Sequence, residues 1–437
     1  MVTSTPKPQK KAGLNALIFV LITVALNAIG FGIILPVIPD LVKELTGSSN
    51  SDASLHLGYL TFTFAVMQFL FMPLIGALSD AYGRRKIMLL SLLGLSLDYL
   101  LMGLAPTITF LYAGRLIAGA LGATFSTANA YIADISPPET RAQNFGLVGA
   151  AFGIGFILGP AIGGILAEPK FLGSLASPQL PFFVAAGLGL LNMIYGFLFL
   201  PETLKPEDRR PVKASRANPY GALKSLARVK GVHGMLFVYF LMSLAHTVYP
   251  TTYTISMQEK LGWSPGDVGI SLAVFGLASF VVQGGLIRII IPKIGQYWAA
   301  IIGVLCATLG YAAFGYAKVG WMVYAAGLLA ALAGLYRPSI TNMMSSRISK
   351  SEQGELQGAI GAAQALAMMV GPLAMAGAFH MFTKDSGPAY IPGASFYLAA
   401  LLAGLGLLAF FLLTNKTDRT RPKKDVEDAL SKNILLK

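Results

Sequence analysis

Apolar residues recur along this 437-residue chain in long runs rather than in the short alternating or amphipathic stretches of a soluble core. Twelve such windows centre near residues 25, 67, 96, 120, 155, 190, 244, 278, 308, 333, 368 and 403. Each is long enough for the roughly 20 apolar residues that a helix needs to cross hydrocarbon. The pattern therefore predicts an all-α membrane protein of twelve spans. The first run, Leu14 to Val37, follows Lys7, Lys10 and Lys11. It is too long for the apolar core of a signal peptide and lacks a small-residue cleavage site, so it reads as the first span.

The longest polar stretch runs from Pro201 to Gly231, is rich in Lys, Arg and Pro, and divides the runs into two sets of six. This predicts a first six-helix bundle over residues 1–200, a linker over 201–231, a second bundle over 232–415 and a tail over 416–437.

Composition sharpens the picture. Only 12% of residues are charged and 55% are hydrophobic, about half the charge that a soluble domain carries. The single cysteine, Cys306, excludes an intramolecular disulfide framework, and the four histidines lack metal-ligand spacing. No metal or cofactor is expected. The net charge of +13 raises nucleic acid as a partner. Position argues against it, because the basic residues sit in short segments between apolar runs with no aromatic-interleaved basic face. Placing the N-terminus in the cytoplasm puts 26 of the 33 Lys and Arg residues on that side. Lys43, Lys170, Lys260, Lys318 and Lys384 fall on the other, and Arg115 and Arg337 fall inside spans. By the positive-inside rule both termini are expected in the cytoplasm of a cell (inner or plasma) membrane.

The halves repeat at an offset of 212 residues. Gly146-Leu-Val-Gly149-Ala-Ala aligns with Gly358-Ala-Ile-Gly361-Ala-Ala, Gly159-Pro160 with Gly371-Pro372, and Gly83 with Gly295. Two parallel six-span repeats predict a solute site between the halves near mid-membrane, around which the halves rock.

Three strings carry more specific information. After span two the chain reads Gly76-Ala-Leu-Ser-Asp80-Ala-Tyr-Gly83-Arg84-Arg85-Lys86. Gly83 suits a backbone angle that other residues resist, Asp80 suits a helix N-terminus, and Arg84 and Arg85 suit a carboxylate partner, for which Asp134 is the candidate. A basic topology signal alone would need neither the aspartate nor the glycine. The equivalent loop, Ile291-Pro-Lys293-Ile-Gly295-Gln296, keeps the glycine and lacks the acid. Span five reads Gly155-Phe-Ile-Leu-Gly159-Pro160-Ala-Ile-Gly163-Gly164, where small residues four apart permit close helix packing and proline bends the helix. Span four carries Arg115-Leu-Ile-Ala-Gly119-Ala-Leu-Gly122.

The loop string resembles the signature of the major facilitator superfamily, and the span-four and span-five strings resemble motifs of its drug–proton antiporter branch. The cadence Leu26-Asn27-Ala-Ile-Gly30-Phe-Gly32-Ile-Ile-Leu-Pro36-Val-Ile-Pro39, with Asp98-Tyr99 in span three and Ala130-Tyr131-Ile-Ala-Asp134 after span four, is similar to the tetracycline-efflux type. The resemblance implies the facilitator fold, a cytoplasmic latch of Gly76, Asp80, Gly83, Arg84, Arg85 and Asp134 closed in the outward-facing state, and proton movement linked to Arg115. It also implies a cavity lined by spans one, four, seven and ten. The family's aspartates at the positions aligned with Asn27 and Ala307 are absent here, which points away from tetracycline as the solute.

Charge inside a membrane is expensive and so calls for a reason. Asp98 suits a proton carrier or a structural carboxylate bonded to a neighbouring helix. Arg115 suits proton coupling or snorkelling. Arg337, beside Pro338, lies too deep to snorkel easily and suits a solute contact or a structural ion pair. His246, Asn27 and Gln68 are further candidate solute contacts, with packing as the alternative. With no phosphate-binding Gly-rich loop and no nucleophile–base pair, the function expected is a monomeric proton-coupled secondary transporter. Its solute is a small amphipathic molecule, anionic or zwitterionic on the arginine balance, and its direction is export. A symporter or uniporter of an organic anion and a transport-inactive receptor are the alternatives.

Overall fold

The computed structural model describes residues 10–212, 231–349 and 352–414, with Asn218, Gly221 and Leu226 between. The whole expected tail, 416–437, and Ser215 in the linker lie outside the described residues. Every regular element among the described residues is helical.

Span one is Lys10–Ile34, continued after a bend by Ile38–Thr46. Spans two and three are Asn50–Tyr82 and Arg84–Gly103. Span four is Ile108–Leu121 and Thr124–Ile135, and spans five and six are Pro138–Ala167 and Leu180–Phe199. Span seven is His233–His246 followed by Val248–Leu261. Pro265–Val281, a π-turn over Val282–Leu286 and Ile287–Tyr316 make up spans eight and nine. Span ten is Gly320–Ala331, a 3-10 turn over Leu332–Leu335 and Tyr336–Ser345. Spans eleven and twelve are Gln353–Met381 and Ala394–Leu413.

Among the described residues, ten helices are long and apolar enough to cross a membrane. One of them, Pro265–Tyr316, runs for 52 residues, far more than one crossing needs. It is divided at Gly295, whose φ of 82° and ψ of 163° are not helical. His233–Leu261 supplies the remaining crossing. It is interrupted at Thr247, three residues before Pro250, which lacks the N–H that an unbroken helix would use and crowds the carbonyl four residues back. These breaks account for the twelve apolar runs.

The repeat is visible in the backbone. Gly83 has φ 108° and ψ 151° between spans two and three, close to the values at Gly295 between spans eight and nine. These positive φ angles are where a side chain is least tolerated. Span four breaks at Gly122 and span ten at Gly334, also 212 residues apart, and a glutamine faces each break. Gln68 donates to the Gly122 carbonyl at 3.1 Å. The Gln283 side chain lies 3.2 Å from where a Cβ on Gly334 would sit.

The two bundles meet along span five with span eight and span eleven with span two. Lipid tails offer no hydrophobic drive between helices, so close backbone approach must hold them. Gly269 lies against the Pro160 carbonyl and Gly164, and Gly58 lies against the Pro372 carbonyl and Ala376. Pro160 and Pro372, and Gly164 and Ala376, are both 212 apart. The two crossings are therefore near-copies of one contact, with the glycine shifted by one residue. The first half's outer core also takes in Ile255 and Phe379 from the second half.

Candidate functional site

Hydrogen bonds between the halves cluster at one face. Thr254 donates to the Leu35 carbonyl at 2.7 Å, Lys43 to Gln258 at 3.2 Å, and Asn50 to Glu259 at 2.7 Å. Thr383 donates to Ser51 at 3.1 Å, and His380 Nδ1 stands 3.6 Å from Asp52. Within the second half, beside these bonds, Tyr390 donates to Glu259 at 2.5 Å, and that bond pushes its phenol up to about 12, so it remains a donor. The molecule is sealed at the face of residues 40–52.

The second half holds a cavity of about 660 Å³. Arg337 and His246 both line it and are both exposed into it. Tyr239, held by a 3.0 Å bond from Gln364, lies with its ring 5.9 Å from the Arg337 guanidinium. Tyr249 forms the aromatic wall, with ring centroids 5.2 Å from Phe275 and 5.3 Å from His246. The break in span seven sets Tyr249 at the start of a new helix, just past His246.

Asp98 and Arg115 form an ion pair joining spans three and four, with Asp98 fully buried. Arg115 does not snorkel. Its guanidinium is held by Asp98 and Met102 and sits 5.7 Å from the Phe64 ring. Gly114 makes this possible, because a Cβ there would stand 2.5 Å from the Asp98 carboxylate.

The expected solute contacts are not all brought together. Arg337 and His246 share the cavity. Asn27 lies instead in a narrow hollow of the first half with Tyr99 and Asn192, and Gln68 serves the break at Gly122.

Around the Gly83 loop, Arg84 pairs with Asp80 at 2.5 Å and with Asp134 at 3.2 Å. Arg85 donates to the Phe197 carbonyl at 2.5 Å. A Cβ on Gly76 would meet nothing within 4 Å. All these bonds lie within the first half. The sequence reading missed Glu202. Its carboxylate accepts from the backbone N–H of Arg84 at 2.9 Å, Arg85 at 3.3 Å, Thr203 at 3.0 Å and Leu204 at 3.1 Å. It caps span three from the end of span six, in the space that a Gly83 side chain would fill. A lone acid just past the last apolar residue of span six was its only signal.

In span five, Gly155, Gly159 and Gly163 lie against span one, at the carbonyls of Ala25, Ile29 and Ile33. Pro160 and Gly164 lie against span eight. The motif thus packs two partners at once.

The model of the Major Facilitator Superfamily matches residues 20–236 and again 235–436, once for each half. The chain belongs to the Major Facilitator Superfamily. This facilitator is 38% identical over 390 residues to the class C tetracycline resistance protein of Escherichia coli, covering 89% of this chain and 96% of that one. It is 32% identical to the class B protein of the same species over 386 residues, or 88% and 94% of the two chains. Among solved structures it is similar to the human organic anion transporter MFSD10, with a TM-score of 0.66, 25% identity and coverage of 93% and 100%. A bacterial homologue of the lysosomal transporter Spinster, inward-facing and unoccupied, shares the fold at TM-score 0.76 and 17% identity, covering 95% and 100%. The protein is a multi-pass membrane transporter of the tetracycline-efflux type that carries a small-molecule solute, and it is not an enzyme.

Proposed function

We propose that this facilitator exports an amphipathic organic solute in exchange for protons, by alternating access between its two halves. The observation that carries the reading is the buried Asp98–Arg115 pair. A buried ion pair is costly unless it has a use, and a carboxylate in the membrane that can exchange a proton for an arginine is the usual currency of a proton-driven carrier. Protonating Asp98 frees Arg115 and changes the charge that spans three and four carry between states. The names of the relatives, tetracycline resistance proteins and an organic anion transporter, support an organic solute. The free charge of Arg337 favours an anionic or zwitterionic one.

In this reading the chain works as a monomer in the inner or plasma membrane with both termini in the cytoplasm. The bundles are residues 1–200 and 232–415, and the described state is inward-facing. Gly76, Asp80, Gly83, Arg84, Arg85 and Asp134 re-form the latch when the opening closes. The test is uptake into proteoliposomes under an imposed pH gradient. Exchange of solute for protons predicts accumulation on the acidic side, abolished by a protonophore. Accumulation on the alkaline side would identify a symporter instead.

A further inference from the structure

The Arg337 cavity belongs to one half of the molecule. Its lining comes from spans seven to eleven, and no residue before Tyr239 contributes. The Asp98–Arg115 pair lies in the other half. A volume of about 660 Å³ is within the range that holds a drug-sized molecule.

The chemistry of this cavity is one-sided. Its described lining contains Arg337 and no Asp or Glu. Arg337 makes no ion pair among the described residues. A guanidinium deep in a low-dielectric cleft, without a counter-charge, attracts an anion and repels a cation. Tyr336 accepts one bond from the guanidinium, and the other polar groups beside it can donate. Tyr239 accepts from Gln364 and so keeps its own phenol proton to give, and Gln283 and Gln357 present amides. The opposite wall is the ring cluster around Tyr249, with Phe275 at 5.2 Å and Tyr311 at 5.6 Å.

We propose that the C-terminal half alone holds the solute, and that the solute is an aromatic monoanion. Its acid group takes two N–H donors of Arg337, and its ring lies against Tyr249 and Phe275. One guanidinium balances one negative charge, and a second would be buried unpaired. The inference rests on the transporter reading for treating this cavity as the solute site.

The test is titration calorimetry on the full chain in lipid nanodiscs with three size-matched probes: 2-naphthoate, 2-naphthylmethanol and 2-naphthylmethylammonium. The anion is expected to bind at least tenfold more tightly than either of the others. Arg337→Gln should erase that advantage. Arg337→Lys, which keeps the charge and loses the planar fork, should weaken the anion severalfold while leaving it ahead of the cation. Tyr249→Leu should weaken anion and alcohol alike and leave their ratio unchanged. If Arg337→Gln does not fold, the lysine and leucine variants decide the matter. No naphthoate binding at millimolar concentration, a cation that binds as well as the anion, or an Arg337→Lys variant with unchanged anion affinity would overturn the proposal. Anion-selective binding without solute-linked proton movement would defeat the exchange mechanism and leave this inference standing. Proton-linked transport without anion preference would do the reverse.

Discussion

Gly269 lies against the carbonyl of Pro160 as Gly58 lies against that of Pro372, so the seal between the halves is built twice from one pattern. In each crossing a bare Cα lets a helix rest on a proline's own carbonyl. A methyl group on the glycine would push that carbonyl away.

Adding that methyl should open the sealed face. Gly269→Ala places a Cβ against Pro160, with the Gly164 Cα 3.1 Å away. Overpacking of this kind costs about 1–3 kcal/mol, enough to shift the balance between states roughly fivefold to a hundredfold. Spin labels on Ser48 and Ser386 should report longer distances in Gly269→Ala and in Gly58→Ala, and a larger effect in the double variant. Unchanged distances would mean that the seal is held elsewhere.

Asp98 is expected to be both structural and functional, and the two roles separate in a double variant. Asp98→Asn alone strands the Arg115 charge, at a cost of about 3–5 kcal/mol, so a lower Tm is expected. Asp98→Asn with Arg115→Gln removes both charges and should recover most of that loss. Neither variant should concentrate solute on a pH gradient, although solute-for-solute exchange can survive. Restored pH-driven accumulation in the double variant would place proton coupling elsewhere.

Glu202 should matter to the Gly83 loop through the backbone. Glu202→Gln weakens the cap on span three, worth about 1 kcal/mol. Gly83→Ala, strained at φ 108° and directed into the same carboxylate, should cost at least as much. Because both act on one contact, their combined effect on thermal unfolding should be less than additive. Full additivity would show that Gly83 is needed only for its backbone angle.

Much of this architecture could be read from the chain because it rests on local signals. The offset of 212 residues that aligns Gly83 with Gly295 reappears as two matching backbone conformations. The Gly159-Pro160 and Gly371-Pro372 pairs reappear as matching seals. Arg115 and Asp98 were each visible as charges inside spans, but their pairing depends on how spans three and four are rotated about their axes, which spacing does not encode. Gln68 and Asn27 looked like cavity residues because polar groups in spans one and two have few other uses. The break at Gly122 gave Gln68 one that periodicity does not reveal. Glu202 acts on backbone N–H groups more than a hundred residues away, a partnership with no side-chain pattern to find.

The orientation is open to direct labelling. On a Cys306→Ser background, single cysteines at Ser48 and Ser386, both at the sealed face, should react with an impermeant maleimide in intact cells. One at Ser215 should react only after permeabilisation. Labelling at Ser215 in intact cells would invert the topology and with it the direction of transport.

Solute-driven proton movement tests the central claim most directly. Purified protein is reconstituted in vesicles that enclose a pH-sensitive dye, solute is added outside with no imposed gradient, and internal pH is followed. Exchange predicts that solute entry drives protons out and the lumen turns alkaline. The response should saturate with solute, vanish with protonophore and be absent in Asp98→Asn. A lumen that stays at constant pH while labelled solute enters, or an Asp98→Asn protein that moves protons as the parent does, would contradict the account.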